Sequence, residues 1–135
     1  MMQHELKKIA ETVDADWFKA DPDILVVIIA PGAEDSLEAA RRNSQLQQAH
    51  ARQMGRRCGL VVVMNRMRSH QVEARGVYAE SLLPEIFFGL ALVVDNPLAR
   101  AIGSFYTGLS KPAIPVRLVA TIEDGIAWLE RIRGK

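Results

Sequence analysis

Three runs of aliphatic residues constrain this chain most: Ile24-Leu25-Val26-Val27-Ile28-Ile29, Leu60-Val61-Val62-Val63-Met64 and Leu90-Ala91-Leu92-Val93-Val94. None of them alternates with polar residues. A strand that is apolar on both sides must be covered on both sides, which is the situation inside a parallel sheet with helices above and below. Each run is also far shorter than the roughly 20 residues a membrane-spanning helix needs.

The segments between the runs read as helices. Pro31-Gly32 ends the first run, and Asp35 with Glu38 resembles a capping box that starts a helix reaching about Met54. Its apolar stripe (Leu37, Ala40, Leu46, Ala51, Met54) is thin, which predicts a largely wet face. After the second run, Ser69 can cap a helix carrying Val72, Tyr78, Ala79 and Leu82, with Pro84 shortly behind it. After the third, Asp95 or Asn96 caps a helix with Pro97 at its first position, and Leu98, Ile102, Phe105 and Leu109 form a clean helical stripe. Val116, Leu118 and Ala120 then suit an edge or half-exposed strand. Thr121 with Asp124 caps a last helix whose Ile122, Ile126 and Leu129 face inward.

Upstream, Trp17-Phe18-Lys19-Ala20 and the first run flank the turn Asp21-Pro22-Asp23, which predicts a hairpin. Leu6, Ile9 and Val13 recur at helical spacing, so residues 1–14 read as a short helical extension. The order ββαβαβαβα predicts an α/β fold. Its sheet is mixed, mainly parallel, of about five strands, with right-handed crossovers and helices on both faces. With 135 residues and no linker or repeat, the whole of 1–135 reads as one domain.

Composition narrows the function classes. A net charge of +1 gives no general pull toward nucleic acid or a membrane surface. With Cys58 as the one cysteine, no disulfide forms within the chain, and together with the polar N-terminus this points to the cytoplasm. Cys58 precedes a buried strand and reads as a small hydrophobe. His4, His50 and His70 lack metal-ligand spacing, so neither a metal nor another cofactor is expected. The glycines form no phosphate loop, and no nucleophile–base pair or nucleophile elbow is visible. A non-enzymatic protein is therefore the expectation.

Two groups of residues remain as candidate sites. Ligands of open parallel sheets bind beyond the carboxyl ends of the strands. The loop 65–69 and the turn at Asn96 belong there, and Arg66, Arg68, Asn96, Arg100 and Arg117 are the candidate anion or ligand contacts. Ion pairing of these arginines with Asp95, Glu73 or Glu80 on a solvated surface is the reading the sequence favours. The second group is a candidate interface: Arg75 and Tyr78, with Leu83, Phe87 and Phe88 from the apolar cluster around Pro84. That cluster is a docking or homodimer patch if exposed, and the cap of one end of the core if buried.

Three blocks carry a family resemblance. They are Glu73-Ala74-Arg75 followed by Tyr78-Ala79, the stretch from Leu92-Val93-Val94-Asp95-Asn96-Pro97 to Ser104-Phe105, and Lys111-Pro112 with Ile114-Pro115-Val116-Arg117-Leu118, closed by Ile126-Ala127-Trp128-Leu129. In these the chain resembles the small bacterial STAS-like (SpoIIAA-like) proteins, relatives of the anti-sigma factor antagonists. The resemblance implies their fold and a regulatory role exercised by binding a partner protein. In signalling members a serine opening the helix after the central strand is phosphorylated by the partner kinase. The matching position is Ser69, where a phosphate would meet free helix N–H groups, Arg66 and Arg68. Here Ser69 follows Arg68 and precedes His70, whereas the family's serine commonly follows an aspartate. A plain N-cap is the reading the sequence favours.

The expected function is thus a protein-interaction module of a bacterial regulatory system, docking through a surface from Arg66 to Tyr78. The alternative is a small-ligand protein with an apolar pocket between a helix and the sheet, as in the SEC14-like proteins that share this general shape, with Arg100 or Arg117 at its mouth. Symmetric dimers are common enough that a homodimer is expected as well.

Overall fold

Alternate side chains of the apolar runs feed two separate cores. The computed structural model describes residues 5–20, 22–65, 69–70, 72–94, 96–97, 100–101 and 113–133, with the backbone alone at 34–35, 69–70, 72–73 and 75. In chain order its elements are β1 (Lys7–Glu11), β2 (Ala15–Ala20), β3 (Ile24–Ile29), β4 (Glu34–Asp35), α1 (Leu37–Gln53), β5 (Cys58–Val63), β6 (Ser69–His70), α2 (Val72–Ser81), β7 (Phe87–Val93), β8 (Val116–Val119) and α3 (Ile122–Arg133). Six strands form one sheet in the order β1-β2-β3-β5-β7-β8. β1, β2 and β3 are antiparallel neighbours, and β3, β5, β7 and β8 run parallel.

On one face Leu25, Val27, Leu60, Leu90 and Leu92 join Trp17 and Phe87 beneath Ala51 of α1 and Tyr78 of α2. On the other, Ile24, Val26, Val61, Ala91 and Val93 meet Ile126, Trp128 and Leu129 of α3. α3 packs close because glycines lie under it. A Cβ on Gly89 would come within 2.8 Å of Ile132 Cδ1 and 2.9 Å of Leu129 Cδ2. The helix is also tied down at its end, where Arg133 Nη2 donates to the buried Asp23 Oδ1 at 2.5 Å.

Four expectations change. Residues 7–11 are a strand, which raises the sheet to six strands. Their backbone pairs with β2, and Ile9 is exposed, so three sparse apolar residues gave a helical spacing without a helical face. The N-cap of α1 is Ser36, whose Oγ accepts from Ala39 N–H at 3.1 Å, while Asp35 lies in β4. Ser69 does not cap α2: it lies in β6, paired in parallel with Glu34, and α2 starts at Val72. β7 starts at Phe87, three residues earlier than the run predicts. A bulge lets it do so, since Cys58 pairs with Phe87 and Gly59 with Gly89, leaving Phe88 as the extra residue.

α1 differs in kind as well. Its buried face holds Ala39, Ala40 and Ala51, but also Asn43, Ser44 and Gln47. Asn43 Nδ2 donates to Tyr78 Oη at 3.4 Å, and Gln48 Nε2 to the Ser81 carbonyl at 2.9 Å. α1 and α2 therefore meet through small and polar groups. The helix expected from Leu98 to Leu109 lies largely outside the described residues.

Candidate functional site

The described surface has a groove along the outer side of β8. Arg117, Leu118, Val119 and Ala120 form one wall, and Asp124, Ala127, Trp128 and Arg131 of α3 the other, around about 350 Å³. The four helix residues follow a spacing of three, one and three, so they make a single stripe on α3. That stripe lies beside the face that carries Ile126 and Leu129 into the core. Thr121 fixes the start of the helix, its Oγ1 accepting from Asp124 N–H at 3.0 Å.

β8 exposes backbone to this groove. Leu90 N–H donates to the Pro115 carbonyl and Val94 N–H to that of Val119, so the odd-numbered residues turn their polar groups toward β7. Leu118, between them, turns its N–H and C=O outward. Among the described residues no strand pairs with β8 on that side. Arg117, Asp124 and Arg131 are exposed, and among the described residues none forms an ion pair. The helix runs down the strand: Gly125 packs beside Val119, and Leu129 and Ile132 lie over Gly89, next to the Pro115 carbonyl. Arg117 and Arg131 thus share the Pro115 end, and Asp124 marks the opposite one.

Among the described residues the sequence candidates do not assemble into one site. Arg66 and Arg68 lie outside the described residues, as do the side chains of Ser69 and Arg75. Asn96 is half-buried and spends its Nδ2 on the Asn65 carbonyl at 2.5 Å, which staples the two loops at the carboxyl end of the sheet. Arg100 is exposed one turn behind, its N–H donating to the Asn96 carbonyl at 2.9 Å. Arg117 belongs to the β8 groove. Tyr78 is half-buried against α1, and Leu83 packs on the core. Phe87 and Phe88 are buried, so they are core residues and no docking patch: the early start of β7 carries them under the helices.

Two titratable groups are absorbed by packing. The Cys58 thiol is buried beneath Ala51 and pushed up to about 11 by that burial, with Asp23 adding to it, which leaves it protonated and inert. The His50 ring lies 5.1 Å from that of Trp17, tilted against it by 42°, and desolvation lowers its pKa.

Sequence reading missed Asp124, Trp128 and Arg131. The signal was present as a second stripe on α3, but the inward stripe at Ile122, Ile126 and Leu129 drew the assignment.

These features define a three-layer α/β domain whose open sheet edge is paired with a helix. Residues 17–133, from β2 to the end of α3, match the family model described as Domain of unknown function (DUF7793), and the chain belongs to that family. A comparison with curated proteins gives no match. Among the described residues no helix is long and apolar enough to cross a membrane.

Proposed function

We propose that this chain is a non-enzymatic protein-interaction module of a bacterial regulatory system, built on a STAS-like frame, and that it docks its partner in the β8–α3 groove. The observation that carries this reading is the edge of β8, where Leu118 turns an N–H and a C=O outward beside Arg117 and Arg131, neither of which forms an ion pair among the described residues. Unpaired strand edges are sites of main-chain recognition. The space between α3 and the sheet, where a SEC14-like pocket would lie, is filled by Ile126, Leu129, Ile24 and Phe88. That packing favours docking at the edge over a ligand held inside.

Ser69 has no switching role in this reading, because it lies in β6 and does not open α2, whose first-turn N–H groups such a phosphate would need. Photo-crosslinking in the native host tests the proposal. A photoreactive residue at position 120, in the groove wall, should give one discrete heavy adduct, retained in a Ser69→Asp background, and the same residue at position 9 on the opposite edge should give none. Equal adducts from both positions, or none from 120, would overturn it.

A further inference from the structure

The chemistry of the groove also selects the kind of segment that fits it. We propose that the β8–α3 groove binds an extended acidic segment by strand addition, with a carboxylate at Arg117 and Arg131 and an apolar residue two positions along over Ala127 and Trp128. This inference rests on the groove being the docking surface.

Three observations converge on it. First, the outward N–H and C=O of Leu118 offer a ladder to an added strand. Second, side chains alternate along β8: Val116 and Leu118 pack on the α1–α2 side, and Val119 on the α3 side. Arg117, two residues before Val119, shares the α3 side. An added strand alternates likewise, so every second side chain of the guest faces the stripe of α3. Third, that stripe has a polarity. Arg131 stands with Arg117 at one end, and Ala127 and the buried Trp128 lie further along toward Asp124. Successive guest residues on one face are about 6–7 Å apart, and one turn of helix rises about 5.4 Å. A carboxylate at the arginine pair therefore places the next same-side residue over the apolar part of the stripe. Both guanidiniums are exposed and lack ion-pair partners among the described residues, so they are available for charge-assisted bonds.

Fluorescence anisotropy with the full chain and labelled eight-residue threonine–valine peptides tests this. One peptide carries glutamate and isoleucine two positions apart. A second has lysine for glutamate, and a third is the first with alternate backbone nitrogens methylated. The acidic peptide should bind, and the lysine and methylated peptides should each bind about tenfold more weakly or worse. The double variant Arg117→Glu with Arg131→Glu should reverse the charge preference. Both positions are exposed, so its melting temperature should stay at that of the unsubstituted chain.

Equal binding of the methylated peptide overturns strand addition. Equal binding of the lysine peptide overturns the acidic class while leaving the groove as a docking surface. Failure of every peptide, with the position-120 adduct still formed in cells, overturns this inference alone. Failure of both overturns the docking reading too.

Discussion

The two edges of the sheet solve one problem in opposite ways. At one, β1 reads Lys-Lys-Ile-Ala-Glu and is largely exposed. A bulge between Lys8 and Ala10 breaks its register, and Lys8 Nζ lies 2.6 Å from Glu11 Oε1 and 3.5 Å from Asp16 Oδ1. Charge and a bulge are devices that keep an edge strand from recruiting another chain. At the other edge β8 pairs with β7 in unbroken register from Val116 to Val119, and its outer side opens into the groove with α3. One edge is insulated and the other is equipped. The family match begins at Trp17, so the insulating strand lies outside the matched segment, whereas β8 and α3 lie within it.

The largest effect should come from Trp17, which anchors the guarded side. It is fully buried, and its Nε1 donates to Thr12 Oγ1 at 3.1 Å, fixing the turn between β1 and β2. Trp17→Ala should lower unfolding stability by about 3–5 kcal/mol in denaturant titration. Hydrogen exchange should show β1 and β2 amides opening before those of β8. A loss spread evenly over both edges would mean that the edges are not independently supported.

Gly89 is the corresponding point beneath the equipped edge. In Gly89→Val the added carbons would meet Ile132 and Leu129, which lie under 3 Å from the first of them. Over-packing of this kind costs about 1–3 kcal/mol. It should also lift α3 and widen the groove, weakening the acidic peptide while leaving β1 exchange unchanged. A variant with normal peptide affinity would show that the groove does not depend on close packing of the helix.

These contrasts mark what could be read from the sequence. The runs around Val26, Val61 and Ala91 were legible because a strand buried on both faces has no polar residue to interrupt it. β1 was not, because an edge strand is defined by its single partner, and Lys7–Glu11 has no apolar face of its own. The inner face of α1 was illegible for a related reason: it buries the polar Asn43, Ser44 and Gln47, and no hydropathy pattern foretells that. The groove escaped because it is shared between a strand edge and the second stripe of a helix some four to fourteen residues later, and each half alone reads as solvated surface.

A gentler change should convert the insulated edge. Replacing Lys7 and Lys8 by valine removes the charges at the start of β1 without touching a core residue. Sedimentation equilibrium should then show an apparent mass that climbs with concentration relative to the unsubstituted chain. An unchanged mass would assign the insulation to the bulge alone, and deleting Ile9 in that background would show it.

The smallest effect is set by pH and acts on the guarded side. His50 on α1 stands over Trp17, and burial lowers its pKa below the usual value of about 6.5. The folded chain therefore holds the neutral ring more firmly than the unfolded chain does. Above pH ~6.5 both states are neutral, and stability does not depend on this group. As pH falls below that value the unfolded chain takes up the proton first, so stability declines until the lowered folded pKa is passed, and then levels. His50→Gln keeps a polar side chain and removes the titration, so it should flatten this part of the stability profile between pH 7 and 5. In the unsubstituted chain the acid-side loss should appear first as faster exchange in β2 beside Trp17, with β8 amides unaffected. An equal decline in His50→Gln would transfer the effect to other groups. Earlier loosening of β8 would reverse the assignment of the pH-sensitive side.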